Sequence, residues 1–182
     1  MTELAAVAWQ PAPIRTERLV LRESEARDRA AFIDLFASAD VHVYLGGPRP
    51  RAELDREVPE IPGRLRGYFV IELDGAMIGV VHLTPHDEQS AGHIRPDLGQ
   101  AELGYLLVRE AWGRGYGAEA CAAALDWFAA ERPGERVVLR TQTANERSMR
   151  LAAGLGFTEV ERFHAYDAEQ WFGVWSPAVR AG

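Results

Sequence analysis

Lysine is absent from this chain of 182 residues, and all 20 of its basic residues are arginine. The absence excludes a Schiff-base lysine, a lysine general base and the phosphate-binding loop that ends in Gly-Lys-Ser or Gly-Lys-Thr. We attribute the exclusive use of arginine, in a chain that is also rich in alanine, to codon composition rather than to selection for bidentate contacts. The absence of lysine therefore excludes these mechanisms and this phosphate-binding loop before any motif is considered.

Cysteine is scarce as well: Cys121 is the single one, so no internal disulfide forms and a reducing compartment is expected. The alanine-rich stretch around Cys121 lacks a nearby histidine, which predicts a buried structural thiol rather than a nucleophile. No segment approaches the ~20 apolar residues of a membrane span. Residues 1–10 lack the basic start and the apolar run of a signal peptide. These absences predict a soluble, cytoplasmic protein.

Excess positive charge is also missing, since the net charge is −7 at pH 7. A nucleic-acid-binding protein needs a basic face that releases counterions, so no nucleic-acid partner is expected. The negative balance favours a cationic substrate or partner, although an acidic surface also keeps many proteins in solution. The length and the hydrophobic fraction of 47% predict one domain over residues 16–182, preceded by an irregular lead-in over residues 1–15.

Hydrophobic periodicity predicts a mixed α/β fold. The expected strands cover residues 18–22, 68–73, 77–83, 101–108, 136–141, 157–163 and 169–175. The expected helices cover residues 25–38 with Ser24 as N-cap, 51–61, 118–131, and 146–153 with Asn145 as N-cap. An Asp74-Gly75 turn joins two of the strands into a hairpin. Residues 41–50 and 85–99 are expected to be loops.

Glycines are concentrated between the strand at residues 101–108 and the helix at residues 118–131. Glycine permits positive φ and close backbone approach, and the free N–H groups of a helix start favour an anion such as phosphate. The dinucleotide-binding fingerprint does not fit, because these glycines come in mid-chain after a hairpin rather than after the first strand. By itself the pattern also fits a strand–helix turn that binds no ligand.

Residues 112–120, which read Trp-Gly-Arg-Gly-Tyr-Gly-Ala-Glu-Ala, resemble the acetyl-CoA pyrophosphate loop of the GNAT superfamily of N-acetyltransferases. The superfamily pattern is Arg/Gln-x-x-Gly-x-Gly/Ala, and the branch with the ribosomal-protein N-terminal alanine acetyltransferases commonly has tryptophan in the first position. Residues 102–105 (Glu-Leu-Gly-Tyr), Asn145-x-x-Ser148 and residues 155–157 (Leu-Gly-Phe) also match that branch in order and spacing. The resemblance covers most of the chain from Arg15 onward.

The resemblance implies a GNAT-like acyl-CoA N-acyltransferase fold, with a central, mostly antiparallel twisted sheet flanked by helices. It implies acetyl-CoA as cosubstrate, with no metal. The implied cofactor contacts are the backbone of Leu106, Leu107 and Val108 for pantetheine, the amides of Gly113, Arg114, Gly115, Tyr116 and Gly117 for pyrophosphate, and Asn145 for the pantetheine or cofactor backbone. Ser148 would lie near the thioester sulfur and stabilise or protonate the leaving thiolate. Without the resemblance, Asn145 is also a simple N-cap and Ser148 a surface serine.

Glu102 is the candidate general base, acting through water, because it opens the strand that would face the cofactor. The alternative is a solvated carboxylate at a strand end. An α-amino group, with a pKa of about 7.7–8.0, is roughly 10–20% neutral at pH 7, whereas a lysine with a pKa of about 10.4 is not. A weakly placed base therefore suits an α-amine better. Tyr166 and Asp167 are weaker acid/base candidates, for which a turn between two strands is the alternative.

Five histidines suggest a metal site, but their spacing does not support one. His82 and His86 have the separation of a helical pair, yet Pro85 lies between them and the glutamate of a zinc-binding helix is missing. We therefore expect no metal. His82, His86 and His93 are instead expected to line an acceptor pocket, together with Asp87 and Glu88.

The predicted function is transfer of an acetyl group from acetyl-CoA to a primary amine by direct attack in a ternary complex, since no nucleophile for a covalent intermediate is evident. The alternative is a non-catalytic, CoA-binding regulatory module of the same fold. The variable segments 41–65 and 85–100 are expected to shape the acceptor pocket without revealing its preference. Peptide N-termini, polyamines, amino acids and antibiotics all stay open as acceptors. The oligomeric state also stays open, with a homodimer among the possibilities.

Overall fold

The computed structural model describes residues 12–85 and 101–178. Within these ranges eight strands form one sheet in the order β1-β2-β3-β4-β5-β6-β8-β7. The strands are β1 (Ile14–Arg15), β2 (Val20–Arg22), β3 (Tyr68–Leu73), β4 (Ala76–Pro85), β5 (Ala101–Leu107), β6 (Val137–Gln142), β7 (Thr158–Ala165) and β8 (Ala168–Trp175). The helices are α1 (Arg29–Ala37), α2 (Arg51–Glu57), α3 (Tyr116–Glu131) and α4 (Glu146–Leu155). The predicted mixed fold with a mostly antiparallel sheet is confirmed.

Three sequence-based expectations about the first half of the chain are wrong. Residues 14–15 are not irregular but form a short strand, because Ile14 pairs with Leu21 of β2. Ser24 does not cap the first helix, since its hydroxyl donates to the Pro62 carbonyl. The helix from residue 51 ends at Glu57 rather than 61, because Val58 turns extended and packs with Ile33 and Leu54 in the core. In each case a contact outside the local segment outweighs the local signal.

The main core lies between one face of the sheet and the helices α3 and α4. The alanine-rich sequence of α3 lets the helix approach the strands closely, and Ala120, Cys121 and Ala124 are fully buried. Cys121 is thus the buried structural thiol that the sequence predicted, and burial raises the pKa of its thiol. Helices α1 and α2 build a smaller cluster around Ile33 and Leu54. Among the described residues, no helix is both long enough and apolar enough to cross a membrane.

The strands β5 and β6 form the feature that positions the site. They are parallel and, within the described residues, pair at two positions, Ala101 with Val137 and Glu102 with Val138. Beyond Glu102, β5 continues along β4 as far as Leu107, whereas β6 continues along β8 as far as Gln142. The two strands therefore diverge and leave a wedge-shaped opening in the sheet. The starts of α3 and α4 border this opening.

Candidate active site

A cavity of about 1070 Å³ extends through the wedge. Its lining includes most of the residues that the sequence predicted as site residues, namely Glu102, Leu106, Leu107, Gly113, Gly115, Tyr116, Gly117, Asn145 and Ser148. Of the predicted residues, Val108 and Arg114 do not line it. Segments that are far apart in the sequence thus meet around one space.

The glycine-rich turn leads directly into α3. Gly113 and Gly115 have φ values of +72° and +81°, which are strained for any residue with a Cβ, and Gly115 is the N-cap of the helix. The first-turn N–H groups of a helix have no intrahelical partner, so those of this 16-residue helix are suited to an anion. Gly117 allows close packing, because a Cβ there would lie 3.2 Å from Leu151 of α4.

Arg18 holds the glycine-rich turn from outside the cavity. Its guanidinium donates to the Arg114 carbonyl at 2.8 Å and to the Glu119 carboxylate at 2.7 Å. The same group stacks over the Tyr116 ring at 4.5 Å. Sequence reasoning missed this residue because nearly a hundred residues separate it from the turn.

The backbone of β5 alternates between its two neighbours. The Val108 amide donates to the Ile78 carbonyl at 2.9 Å, which directs its backbone groups, and by alternation those of Leu106, toward β4. The groups of Leu107 then face the wedge, where its carbonyl accepts a hydrogen bond from Trp112 Nε1 at 2.9 Å. Of the three backbone positions proposed for pantetheine, Leu107 is the one turned toward the opening.

The start of α4 places two polar side chains in the cavity. Asn145 Oδ1 accepts a hydrogen bond from the Ser148 amide at 3.3 Å, so the predicted N-cap is confirmed. Ser148 is buried, and its Oγ lies 2.6 Å from the Tyr105 hydroxyl, with which it shares a hydrogen bond. A surface role for Ser148 is therefore wrong. Burial raises the pKa of Tyr105 to about 12, so its phenol keeps its proton at neutral pH.

Glu102 and Arg140 form an ion pair across the narrow end of the wedge. Arg140 Nε lies 3.1 Å from Glu102 Oε1, and its Nη2 lies 3.3 Å from Oε2. The Glu102 side chain is 21% exposed and lines the cavity, so it is not a freely solvated strand-end carboxylate. The two contacts hold the carboxylate in one orientation.

His82 lies beside this ion pair, on the same face of the sheet. Its ring covers Gly104, where a Cβ would come within 2.3 Å of Nε2, and stacks on Tyr68 at 5.4 Å between ring centroids. Nδ1 is 3.2 Å from Thr84 Oγ1. Burial lowers the pKa of His82, with Glu102 acting in the opposite direction, so the imidazole is neutral at pH 7. The prediction that His82 lines the pocket is confirmed.

The remaining histidines and carboxylates of that prediction, His86, His93, Asp87 and Glu88, lie outside the described residues. In the part of the chain that the structure describes, no cluster of three or more histidine, cysteine, aspartate or glutamate residues is arranged to hold a metal ion.

The outer part of the cavity is formed by a loop that the sequence predicted to shape a pocket and by Tyr166, a weaker acid/base candidate. Residues 41–46 line it, and within them the buried His42 packs against Phe36 at 5.6 Å between ring centroids. Tyr166 lines it from the turn between β7 and β8. Tyr166 and Asp167 have φ values of 53° and 58°, as a two-residue hairpin turn of type I′ requires, so the turn interpretation is confirmed.

A positively charged side chain also borders the start of α4. The Arg147 guanidinium stacks over the Trp112 ring at 3.9 Å. Arg147 and Arg150 both line the cavity near the glycine-rich turn. No sequence motif pointed to either arginine, although both lie within two turns of the predicted Asn145 cap.

Comparison with known families identifies the domain. Residues 18–158 match the family model described as the acetyltransferase (GNAT) domain. The chain belongs to the GNAT acetyltransferase family. A relative of this GNAT domain, the uncharacterized protein YkkB of Bacillus subtilis strain 168, is 28% identical over 148 residues, which cover 78% of this chain and 82% of YkkB.

Solved structures share the fold of this GNAT domain. A GNAT-family acetyltransferase from Bacillus anthracis superposes with a TM-score of 0.73 at 19% identity, covering 91% of this chain and 98% of that one. AAC(6')-Ib in complex with paromomycin and acetyl-CoA gives a TM-score of 0.71 at 17% identity, covering 91% and 99%.

A further solved structure shares this fold. It is the acetyltransferase from Salmonella typhimurium that modifies the N-terminal serine of the 50S ribosomal subunit protein L7/L12. It gives a TM-score of 0.69 at 16% identity, and the match covers 92% of this chain and 100% of that one. At such identities the likeness concerns the fold, and the acceptors belong to those proteins.

Proposed function

We propose that this GNAT domain transfers an acetyl group from acetyl-CoA to a primary amine by direct attack in a ternary complex. The observation that carries the proposal is the wedge between β5 and β6, which connects the start of α3 to the Glu102–Arg140 pair through one cavity. An acyl donor entering from the helix start and an amine entering from the opposite side would meet inside it. Peptide N-termini and small-molecule amines are both acceptors of this class.

The features around the glycine-rich turn suit the cofactor. The pyrophosphate would accept hydrogen bonds from the amides of residues 113–117, with the α3 dipole and the guanidinium of Arg147 adding positive potential. The pantetheine arm would extend the sheet by pairing with the wedge-facing backbone of Leu107. Asn145 would bind the pantetheine or cofactor backbone from the start of α4.

The reaction needs a neutral amine, and Glu102 is the proposed general base. Arg140 fixes its carboxylate in the cavity, where a water molecule would carry the proton from the amine to it. The neutral amine nitrogen then attacks the thioester carbonyl carbon, the proton that the nitrogen loses follows the same route through Glu102 to solvent, the C–S bond breaks, and the thiolate of CoA leaves. Ser148 would donate its hydroxyl proton to that thiolate and take the proton of the Tyr105 hydroxyl, which solvent replaces.

The test is CoA release with a panel of amines, together with equilibrium binding of acetyl-CoA, for the wild type and the variants Glu102→Gln and Ser148→Ala. We expect acetyl-CoA binding in all three proteins, with turnover lost or reduced in the variants. Mass spectrometry of the products identifies the acetylated amine. Tight acetyl-CoA binding without acetylation of any amine would instead support the non-catalytic, CoA-binding regulatory module.

A further inference from the structure

Exposed large hydrophobic side chains line the cavity. Among the described residues, four large hydrophobic side chains are exposed: Val43 (63%), Leu45 (59%), Leu65 (62%) and Tyr166 (69%). Val43, Leu45 and Tyr166 all line the cavity, whereas Leu65 does not. Apolar side chains that cluster at one site, rather than scatter singly over the surface, indicate a binding surface. We call these three residues the apolar rim.

The apolar rim is held in position by the backbone around it. The His42 carbonyl accepts hydrogen bonds from the amides of Leu45 and Gly47, at 3.0 and 3.1 Å. The Tyr44 carbonyl accepts a hydrogen bond from Gln142 Nε2 at 3.0 Å, which ties this segment to β6. His42 points into the protein, so its neighbour Val43 faces outward. Exposure of the rim therefore follows from an ordered turn.

Three further aromatic residues line the cavity: Phe36, Tyr68 and Phe163. The described lining has two carboxylates, and each already faces an arginine: Asp40 with Arg109 at 2.9 Å, and Glu102 with Arg140 at 3.1 Å. A ligand with several ammonium groups would find little uncompensated negative charge among these residues. A ligand with one amine and an apolar body would match both the Glu102–Arg140 pair and the apolar rim.

We infer that the acceptor is a primary amine that carries an apolar or aromatic group, with its amine directed toward Glu102 and its apolar group against Val43, Leu45 and Tyr166. This inference rests on the proposed acetyl transfer and assigns the acceptor class of the same cavity. An arylalkylamine and a peptide with an apolar N-terminal residue share this chemistry.

The first test compares acceptors with the full chain and acetyl-CoA. The panel consists of 2-phenylethylamine, a peptide that begins with phenylalanine, the same peptide beginning with serine, and spermidine. We expect kcat/KM for phenylethylamine or the phenylalanine peptide to exceed that for spermidine and for the serine peptide by about tenfold or more. Which of the two apolar acceptors reacts faster identifies the source of the amine. A preference for spermidine or for the serine peptide would overturn the inference.

The second test uses a matched pair of surface leucines. Leu45→Ser removes an apolar side chain from the rim, and Leu65→Ser removes one of equal exposure away from the cavity. We expect Leu45→Ser to lower kcat/KM for the better apolar amine by about fivefold to tenfold through KM, with spermidine unaffected. Val43→Ser should act in the same direction, and Leu65→Ser should have no effect. Equal effects of Leu45→Ser and Leu65→Ser would overturn the inference.

Binding of acetyl-CoA distinguishes a wrong acceptor class from a failure of the proposed function. If the wild type binds acetyl-CoA and acetylates polyamines best, the acceptor class is wrong and the acetyltransferase proposal stands. If the wild type neither binds acetyl-CoA nor acetylates any amine in the panel, the proposed function fails, and the acceptor class fails with it.

Discussion

The two ends of the cavity differ in their chemical groups: backbone groups form one end and side chains the other. At the α3 end, the chemistry comes from the backbone: positive-φ glycines, the amides of a helix start and the strand edge at Leu107. At the opposite end it comes from side chains, the Glu102–Arg140 ion pair, the ring of His82 and the apolar rim. A backbone site tolerates many side chains and suits a ligand that does not vary. A site made of side chains changes its preference with each substitution, which would suit the proposed acceptor.

The largest effect is expected at the backbone end, from Gly115→Asp. A Cβ at φ +81° is strained, and the new carboxylate would repel the pyrophosphate, so we expect binding of CoA to weaken by about 100-fold, or ~2.7 kcal/mol. Isothermal titration calorimetry measures the Kd for CoA. Gly134→Asp is the matched control, because Gly134 has φ +80° and open space around it in the turn after α3. Equal CoA binding by both variants would contradict the pyrophosphate assignment.

An effect of similar size is expected at the side-chain end, from Glu102→Gln. Loss of the proposed base should lower kcat by about 100-fold while leaving the Kd for acetyl-CoA unchanged, because general-base catalysis contributes ~10²–10⁴. Single-turnover kinetics measures the chemical step. Glu159→Gln is the control, since Glu159 also pairs with an arginine, Arg162 at 3.0 Å, but does not line the cavity. A parallel loss of acetyl-CoA affinity in Glu102→Gln would mean that the two ends are not separable.

A smaller effect is expected from Ser148→Ala, at the start of α4. The variant removes the hydroxyl that is 2.6 Å from the Tyr105 phenol, and we expect kcat to fall by about tenfold. Replacing acetyl-CoA with an acyl donor whose thiol leaving group is more acidic should restore part of the rate. A rate that stays reduced with such a donor would argue that Ser148 does not assist the leaving thiolate.

The smallest expected effect is on the pH dependence of the free energy of unfolding, and it concerns His82 at the side-chain end. His82 has a pKa below its ordinary value of 6.5 because it is buried. The unfolded chain therefore binds this proton more readily than the folded chain, and the free energy of unfolding falls as the pH drops below about 6.5. Urea unfolding between pH 5 and 7.5 should show a weaker pH dependence for His82→Gln than for the exposed control His164→Gln. Identical pH dependence in the two variants would contradict a lowered pKa of His82 in the folded chain.

Sequence reasoning succeeded where the signal is local. The Asp74-Gly75 turn, with φ values of 50° and 81°, joins β3 and β4 as a type I′ hairpin. The alanine-rich run gives α3, and the glycines before it give the turn that borders the cavity. These features depend on residues within a few positions of one another, so a single sequence contains them.

Sequence reasoning failed where a residue acts through a distant partner. Glu102 was identified as a candidate base, but nothing in its neighbourhood indicated that Arg140, 38 residues later, would hold its carboxylate. The sequence indicates that residues 41–65 shape a pocket, but only the fold shows that residues 41–46 line the cavity. The strand at Ile14 likewise exists because Leu21 pairs with it.

The short pairing between β5 and β6 has a consequence for how the protein resists unfolding. Among the described residues, two pairs join a five-stranded part of the sheet, β1 to β5, to a three-stranded part, β6 to β8, with the core under α3 and α4 as the larger connection. A ligand that fills the wedge and hydrogen-bonds to its edges adds a second connection along the whole opening. Opening motions that separate the two parts become rarer in proportion to its occupancy. Bound acetyl-CoA would then also stabilise the folded domain, but only while it occupies the wedge.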